Sequence, residues 1–272
     1  MVGGTEPPTY PCPMRLATWN VNSVVARLPR LVEWLASSSP DVLCLQETKI
    51  ADDAFPRGEV EALGYEVALH GEGRWNGVAI LSRGGRGDVS SGFDGQPGYP
   101  APEARAMSAT CGGLRVWSLY VPNGRALDSD HYPYKLRWLG ALRLALIASQ
   151  STSPPLLVCG DFNIAPSDDD VWDPGAFIGS THVSAPEREA LAGLISIGLD
   201  DIQPRAFKGR PFTYWDYRGG NFHKGLGMRI DLMLLDHAVT PAVKDAYVDR
   251  DARKGTLPSD HAPLVLDLDW PG

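Results

Sequence analysis

Six short apolar runs in this 272-residue chain stop or start on an acid, an amide, a phenol or an imidazole. "LATW" runs into Asn20 and Asn22, and "DVLCLQ" runs into Glu47. "RVWSLYV" contains Tyr120 and ends at Asn123, and "LLVCG" runs into Asp161 and Asn163. "DLMLL" opens on Asp231, and Asp260 with His261 precedes "PLVLDL". The runs are of strand length, so their polar ends must meet something. Antiparallel neighbours set the end of one strand beside the start of the next, which can bring all six to one sheet edge. Taken singly, each is a turn residue, because Asn and Asp hydrogen-bond their own backbone and tolerate left-handed angles. Taken together they are a cluster, and carboxylates gathered in one place repel unless a cation offsets them. Oxygen donors without cysteine favour Mg²⁺ or Mn²⁺ over Zn²⁺.

The remaining pattern sets the architecture. "ARLPRLVEWLASSSP" places Leu28, Leu31, Val32 and Leu35 at helical spacing. "YPYKLRWLGALRLALIAS" reads as a long helix ended by Pro154 and Pro155. "SAPEREALAGLISIG" reads as a helix with a capping box from Ser184 to Glu187. Further strands are expected in "YEVALH", "NGVAILSR", "PFTYWDY" and "KDAYVD", and as a pair around Gly112 and Gly113. Residues 83–104 are rich in Gly and Pro and read as one long loop. Strands occur in both halves with few helices between them, and no strict βαβ repeat, low-complexity tract or linker interrupts. This predicts an α/β fold of two mostly antiparallel β-sheets packed face to face with helices outside. It is expected as a single domain over residues 15–272, behind a flexible lead-in over residues 1–14.

Apolar residues make up 43% of the chain and charged residues 21%, values of an ordinary globular protein. No apolar run approaches the roughly 20 residues that span a bilayer. The first residues lack a basic stretch followed by an apolar one, so no secretory signal is expected. Cys12, Cys44, Cys111 and Cys159 form no CxxC pair, and Cys44 and Cys159 lie inside apolar runs. Reduced thiols in a cytoplasmic setting follow. The net charge of −8 argues against broad non-specific nucleic-acid binding, though acids gathered for a metal also lower that total.

"ATWNVNS", "CLQETK", "YVPNG", "GDFNIAP", "WDYR", "RIDLML" and "SDHAPL" resemble, in order, the motifs of the exonuclease III family of bacterial AP endonucleases. That family lies within the endonuclease/exonuclease/phosphatase superfamily, with its DNase I-like fold. The resemblance runs from about Leu16 to Asp267. "GDFN" and "SDH" belong to the whole superfamily and identify phosphoesterase chemistry, whereas "FTYWDYR" followed by "GMRIDLML" points to the DNA-repair branch. The resemblance implies a four-layer α/β sandwich and a Mg²⁺- or Mn²⁺-dependent monomer. Its substrate would be double-stranded DNA, cut 5′ to abasic sites or trimmed at 3′ ends, in the cytoplasm at the nucleoid and not at a membrane. An inositol-phosphate or sphingolipid phosphoesterase is the competing reading, disfavoured by the "WDYR…RIDL" segment and the lack of a membrane-binding stretch. A catalytically dead DNA-binding module is a third, disfavoured because every expected catalytic position is filled.

The resemblance also implies roles. Glu47 matches the principal metal ligand, with Asn20, Asp161, Asn163, Asp260 and His261 as further metal-side groups. Asp161 matches the residue that positions and deprotonates the attacking water, and Asn163 would hydrogen-bond the phosphate or that water. His261 would meet the scissile phosphate, with Asp231 fixing its tautomer. Tyr120 would contact the phosphate or supply a proton near the leaving group. Asn22, Asn123 and Arg125 would contact DNA, as would Arg218, Lys224 and Arg229 in a basic, Gly-rich segment. Tyr214, Trp215, Met228 and Ile230 match a pocket for a flipped-out abasic sugar. Lys135 and Arg137 read equally as phosphate contacts or a solvated helix face. If His261 faces the phosphate while Asp260 faces the metal side, the chain must turn at Ser259–Ala262, because neighbours in an extended segment point oppositely.

Overall fold

The computed structural model describes residues 12–93, 96 and 103–270. In chain order the elements are β1 (Cys12–Asn20), α1 (Val24–Ser38), β2 (Val42–Gln46), α2 (Arg57–Glu61), β3 (Glu66–His70) and β4 (Val78–Ser82). There follow β5 (Gly87–Ser91), β6 (Ala106–Cys111), β7 (Leu114–Tyr120), α3 (His131–Gln150), β8 (Leu156–Asp161) and α4 (Ala185–Ile195). The chain closes with β9 (Leu199–Asp201), α5 (Asn221–Lys224), β10 (Asp231–Asp236), β11 (Val243–Val248) and β12 (Leu264–Trp270). Two six-stranded sheets result, ordered β11-β12-β1-β2-β4-β3 and β5-β6-β7-β8-β10-β9.

Strand periodicity explains the layers. Successive side chains of a strand point to opposite faces. In β2, Val42 and Cys44 join the core between the sheets, while Leu43 and Leu45 pack under α1. In β8, Leu157 and Cys159 face the inter-sheet core, while Leu156 and Val158 pack against α3 and α4. Every residue of β2, β4 and β8 is therefore buried, which is why these strands read as unbroken apolar runs. The order is helix, sheet, sheet, helix, as expected.

Neighbouring strands are antiparallel except at β1–β2 and β7–β8. Each parallel pair is joined by a crossover helix, α1 or α3, as parallel neighbours require. The two sheets thus repeat one plan, β12-β1-β2-β4-β3 matching β6-β7-β8-β10-β9. The carboxyl ends of both parallel pairs open on the same side, the position where such folds place ligands. Antiparallel pairing alone, the sequence expectation, accounts for only part of that convergence.

A buried polar layer ties the sheets together just below this edge. Thr18 Oγ1 donates to Gln46 Oε1 (3.2 Å), Gln46 Nε2 to Ser118 Oγ (3.1 Å), and Ser118 Oγ to the Leu45 carbonyl (3.1 Å). These residues lie one or two positions before Asn20, Glu47 and Tyr120. A satisfied polar network in an apolar core admits one register, so it holds the two sheets' polar ends in step.

Three local expectations change. The loop over residues 83–104 contains β5, an edge strand whose residues are all exposed, so no apolar alternation marks it. Residues 94–95 and 97–102 of that loop lie outside the described residues. "PFTYWDY" is not a strand: Tyr214 forms single bridges to Met228 on one side and His261 on the other. β1 starts at Cys12, so Cys12–Met14 belong to the sheet, and the rest of the expected lead-in lies outside the described residues. Cys44, Cys111 and Cys159 are buried free thiols.

Gly160 shows how tightly β7 and β8 are matched. Its φ is +145°, and a Cβ there would lie 1.9 Å from the Leu119 carbonyl oxygen. Gly160→Ala is expected to lower stability by on the order of 3 kcal/mol, from strain and overlap together. A urea midpoint unchanged by the substitution would contradict that close approach.

Candidate active site

Sheet register places the first two acids opposite one another. Asp231 at the start of β10 pairs with Asp161 at the end of β8, and Tyr120 at the end of β7 pairs with Asp161 from the other side. Like charges directly opposite repel. His261 answers this: Nδ1 lies 2.8 Å from Asp231 Oδ2, and Nε2 lies 3.8 Å from Asp161 Oδ2. All three side chains are buried. Burial works against an imidazolium, but Asp231, and after it Asp161 and Asp260, carry the His261 pKa up to about 10. Burial pushes the Asp161 carboxyl up to about 7; His261 opposes this, and Asp231 and Glu47 add to it.

The chain does turn before β12. Ser259 Oγ donates to the Asn20 carbonyl (2.7 Å) and accepts from His261 N (3.2 Å). Trp19 Nε1 donates to the His261 carbonyl (3.1 Å). The turn sends His261 inward to Asp231, while Asp260 Oδ1 accepts from Asn22 Nδ2 (3.1 Å). The tilted ring of Tyr214, 4.9 Å away, backs the imidazole.

Asn20 joins the two halves. Its Nδ2 donates to Glu47 Oε1 (2.8 Å) and to Asp161 Oδ2 (2.9 Å), and its Oδ1 accepts from Asn22 N (3.0 Å). Lys49, not singled out in the sequence, lies 2.6 Å from Glu47 Oε2 and 2.5 Å from Asn22 Oδ1. Its position two residues after Glu47 in "CLQETK" is the signal that marks it. Burial works against a charged Glu47, but the Lys49 ammonium and the Asn20 amide outweigh it and hold its pKa below the ordinary value. Asn22, Glu47 and Lys49 all have left-handed backbone, with φ of 45°, 52° and 52°. Such strain gathers where surrounding structure over-determines it, as at functional sites.

Among the described residues no three His, Cys, Asp or Glu side chains form a self-contained metal cage. The oxygen donors at Glu47 are one carboxylate with neighbouring amide oxygens and the Asp161 carboxylate. That set fits a hard divalent cation such as Mg²⁺, which uses one or two carboxylates with water and substrate phosphate instead of an all-protein cage. A buried, unpartnered Asp231 Oδ1 is further negative character in reserve.

On the other side, Asn163 N donates to Asp161 Oδ1 (2.9 Å), and Asn163 Nδ2 to the Val121 carbonyl (2.9 Å). Asn163 Oδ1 meets Asn123 Nδ2 at 3.0 Å and His182 Nε2 at 3.1 Å. Burial first, and the nearby Lys135 charge second, bring the His182 pKa down to about 4, so it is a neutral partner here. His182 was not foreseen; no strand end or motif announces it. Burial, then Glu47 and Asp161, raise the Tyr120 phenol well above its usual range, so it stays a proton donor, with Arg105 4.8 Å over its ring. Glu47, Tyr120, Asn123, Arg125 and Arg137 line a cleft of about 650 Å³, together with Trp75, which is 72% exposed. A larger cavity of about 1010 Å³, among Phe207, Lys208, Phe222 and Arg250, lies away from these carboxylates.

The expected DNA contacts divide. Arg218 is 90% exposed and, among the described residues, is held by Asp216, and Lys224, later in the same Gly-rich segment, is exposed as well. Arg229 is a correction: it is 1% exposed and clamped by Asp170 (2.6 Å) and Asp201 (2.9 Å), so it braces the fold and is not free for phosphate. Trp215 is a second correction: its ring is 1% exposed and packs edge-on against Phe222 in the core. Met228 and Ile230 form a small apolar cluster against Tyr214, adjacent to His261. Lys135 is neither a phosphate contact nor a solvated face, being fully buried, while Arg137 is exposed at the cleft.

A family model described as "Endonuclease/Exonuclease/phosphatase family" matches residues 17–261. The exodeoxyribonuclease III of Haemophilus influenzae is 31% identical over 271 residues, spanning 94% of this chain and 100% of that protein. A structure of the 3′ phosphatase NExo from Neisseria bound to a product DNA hairpin matches with a TM-score of 0.90 at 39% identity, over 94% of this chain and 100% of that one. An AP endonuclease from Archaeoglobus fulgidus matches with a TM-score of 0.87 at 36% identity, over 94% and 99% of the two chains. The site geometry and these likenesses agree: the chain belongs to the endonuclease/exonuclease/phosphatase family, among the AP endonucleases of the exonuclease III type.

Proposed function

We propose that the protein is a DNA-repair phosphodiesterase that hydrolyses the backbone 5′ to abasic sites and removes nucleotides or blocking groups from 3′ ends, acting in the cytoplasm as a monomer. The observation that carries this reading is the buried Asp161–His261–Asp231 arrangement beside Glu47 and Asn20. It joins a carboxylate that titrates near neutrality to a fixed cation. Nucleases of this family are metal-dependent, and Mg²⁺ is the cation that the donor set suits best, with Mn²⁺ as its close substitute. The metal, held at Glu47 with Asn20 and Asp161 beside it, would neutralise charge on the phosphate.

The protein's own groups divide the remaining work. Asp161 holds the attacking water and takes its proton, while Asn20 and Asn163 N fix the carboxylate's orientation. His261, kept cationic by Asp231, donates to a non-bridging phosphate oxygen as charge builds there. Asn163 and Asn123 add side-chain N–H donors, and the protonated Tyr120 faces the same cleft as Arg125. Asn22 and Asp260, hydrogen-bonded together, support the Glu47–Lys49 side. Tyr214, half-buried and backed by the buried Met228 and Ile230, offers an apolar surface to a sugar that lacks its base. Arg218, Lys224 and Arg125 give positive charge to the duplex backbone.

Three outcomes are expected. With Mg²⁺, wild-type protein nicks a duplex bearing one abasic analogue, chelation stops it, and Asp161→Asn lowers kcat on the order of 10²–10⁴-fold. Equal nicking by the variant would remove Asp161 from the chemistry. In a pH profile of kcat/KM, activity rises as Asp161 loses its proton around pH 7, with the bound cation moving that limb lower. Activity falls as His261 loses its proton near pH 10. In salt titrations of DNA binding, Arg218→Ala or Lys224→Ala lowers the slope by about one charge each. Arg229→Met leaves that slope intact but costs about 3–5 kcal/mol of stability, because Asp170 and Asp201 are left unpaired.

A further inference from the structure

Lys135 and Glu187 form an ion pair at 2.6 Å in which neither side chain has any exposed surface. Lys135 comes from α3 and Glu187 from the first turn of α4. The three ammonium hydrogens have three acceptors: Glu187 Oε1 (2.6 Å), the Asn163 carbonyl (2.6 Å) and the Asn123 carbonyl (3.3 Å). No donor is left for a substrate, so Lys135 does not touch phosphate. Glu187 is equally committed. Its Oε1 faces Thr181 Oγ1 (2.7 Å) and His182 N (3.0 Å), and its Oε2 faces Ser184 Oγ (2.6 Å) and Ser184 N (3.2 Å). Thr181 Oγ1 also lies 3.1 Å from the Asn123 carbonyl.

One buried pair therefore holds the loop after β7 through Asn123, the loop after β8 through Asn163, and the segment before α4 through Thr181 and His182. These loops carry strained backbone, with φ of 51° at Asn163, 58° at Arg125 and 79° at His182, and such conformations persist only when neighbours hold them. The loop after β7 meets the clamp so closely that a Cβ on Gly124 would lie 2.8 Å from Thr181 Oγ1 and 3.2 Å from Lys135 Cδ. Stability alone does not account for burying two charges, since apolar replacements of such pairs are often neutral or stabilising. What an apolar pair lacks is the ability to orient two carbonyls.

The consequence reaches the amides of the proposed reaction. With its carbonyl held, Asn163 turns Nδ2 to the Val121 carbonyl and Oδ1 to Asn123 Nδ2 and His182 Nε2. Reversing that amide would set oxygen against oxygen at Val121. Among the described residues Asn163 Nδ2 has one acceptor and keeps a hydrogen free, while Asn123 Nδ2, which also lies 3.1 Å from His182 Nε2, keeps one free when that nitrogen carries the imidazole's proton and donates to Asn163 Oδ1. We propose that the Lys135–Glu187 pair is a positioning element for catalysis, aligning the Asn123 and Asn163 amides so that their free N–H groups meet the phosphate during reaction; this rests on the phosphodiesterase reading above.

The test measures kcat and KM on an abasic duplex and on a 3′-phosphate duplex for Lys135→Met, Thr181→Val and Glu187→Gln, with melting temperatures. It adds side-chain amide NMR spectra of protein labelled with ¹⁵N-asparagine, in which Asn163→Ser identifies the Asn163 signal. Lys135→Met is expected to lower kcat at least about tenfold, and Thr181→Val about threefold, with KM unchanged within about threefold. Glu187→Gln keeps one oxygen acceptor for Lys135, Thr181 and His182 N and gives up the acceptor for Ser184 N, so its kcat is expected to stay nearer to wild type than that of Lys135→Met. The Asn163 amide signal should stay distinct in wild type and Glu187→Gln and move toward that of a free amide in the other two. Folded variants with wild-type kcat and an unmoved Asn163 signal would overturn the proposal, as would loss of kcat only in proportion to loss of folded protein. If Lys135→Met does not fold, Thr181→Val and its spectrum decide. A wild type inactive on both duplexes would sink the phosphodiesterase reading, while the spectra would still decide for or against the clamp.

Discussion

Asp161 and Asp231 face each other across β8 and β10 because the antiparallel register leaves them no other place. Two buried carboxylates at that spacing would repel and force each other neutral. The imidazole of His261, reached by a turn at the start of β12, lies between them and relieves the repulsion. That one interaction sets the chemistry of the neighbourhood. It keeps His261 cationic beside Asp161, where the proposed reaction needs a donor to phosphate, and leaves Asp161 titrating near neutrality instead of locked in either state. It also explains the length of the supporting chain: Trp19 and Ser259 hold the turn, and Tyr214 backs the ring.

The same edge could not be built from antiparallel strands alone. Glu47 stands beside Asn20, and Asp161 beside Tyr120, because α1 and α3 each carry the chain back to start a parallel neighbour. One sheet supplies Glu47 and the other supplies Asp161, the groups proposed above as metal-side ligand and base. Asn20 spans the gap by donating to Glu47 and Asp161 at once. The Thr18–Gln46–Ser118 layer beneath it makes that span reproducible, since a slip of one residue in either sheet would break the network and flip alternate side chains between core layers.

How much of this was legible in the sequence depends on the signal each residue leaves. Strands buried on both faces announce themselves as apolar runs, so their ends, and with them Asn20, Glu47, Asp161, Asp231 and His261, could be named. The repeated sheet plan left no trace, because packing demands volume and apolarity, not repeated residues. β5 reads as loop because its residues are all exposed, and "PFTYWDY" reads as strand because aromatic residues favour extended backbone even where pairing stops at single bridges. Arg229 and Trp215 were misassigned for one reason: a basic or aromatic residue in a functional motif looks the same whether it faces substrate or core. Arg229 is drawn inward by Asp170 and Asp201, which lie 59 and 28 residues away in sequence. The pairing of Lys135 with Glu187, and His182 beside it, leave no such trace for the converse reason: Lys135 reads as a surface cation and Glu187 as a helix cap, and residues on different elements meet only in the folded chain.

Net charge is the remaining tension, because a chain of −8 seems ill suited to DNA. The structure shows where much of the negative charge is spent. Arg229 is shared by two acids, Asp170 and Asp201, which leaves one net negative charge inside the fold, while Glu187 with Lys135 and Asp267 with Arg15 cancel. Asp161, Asp231 and Glu47 lie together at the site, where His261 and Lys49 offset them in part and the cation proposed above would offset the rest. Arg218, Lys224 and Arg137 are exposed, so the proposed backbone contacts would fall to cations that the offset carboxylates of the site oppose little. On the proposed reading, a negative net charge favours release as much as it limits capture: weak non-specific attraction would let the protein leave undamaged duplex, and the site would hold only where a phosphate reaches His261 and the cation together.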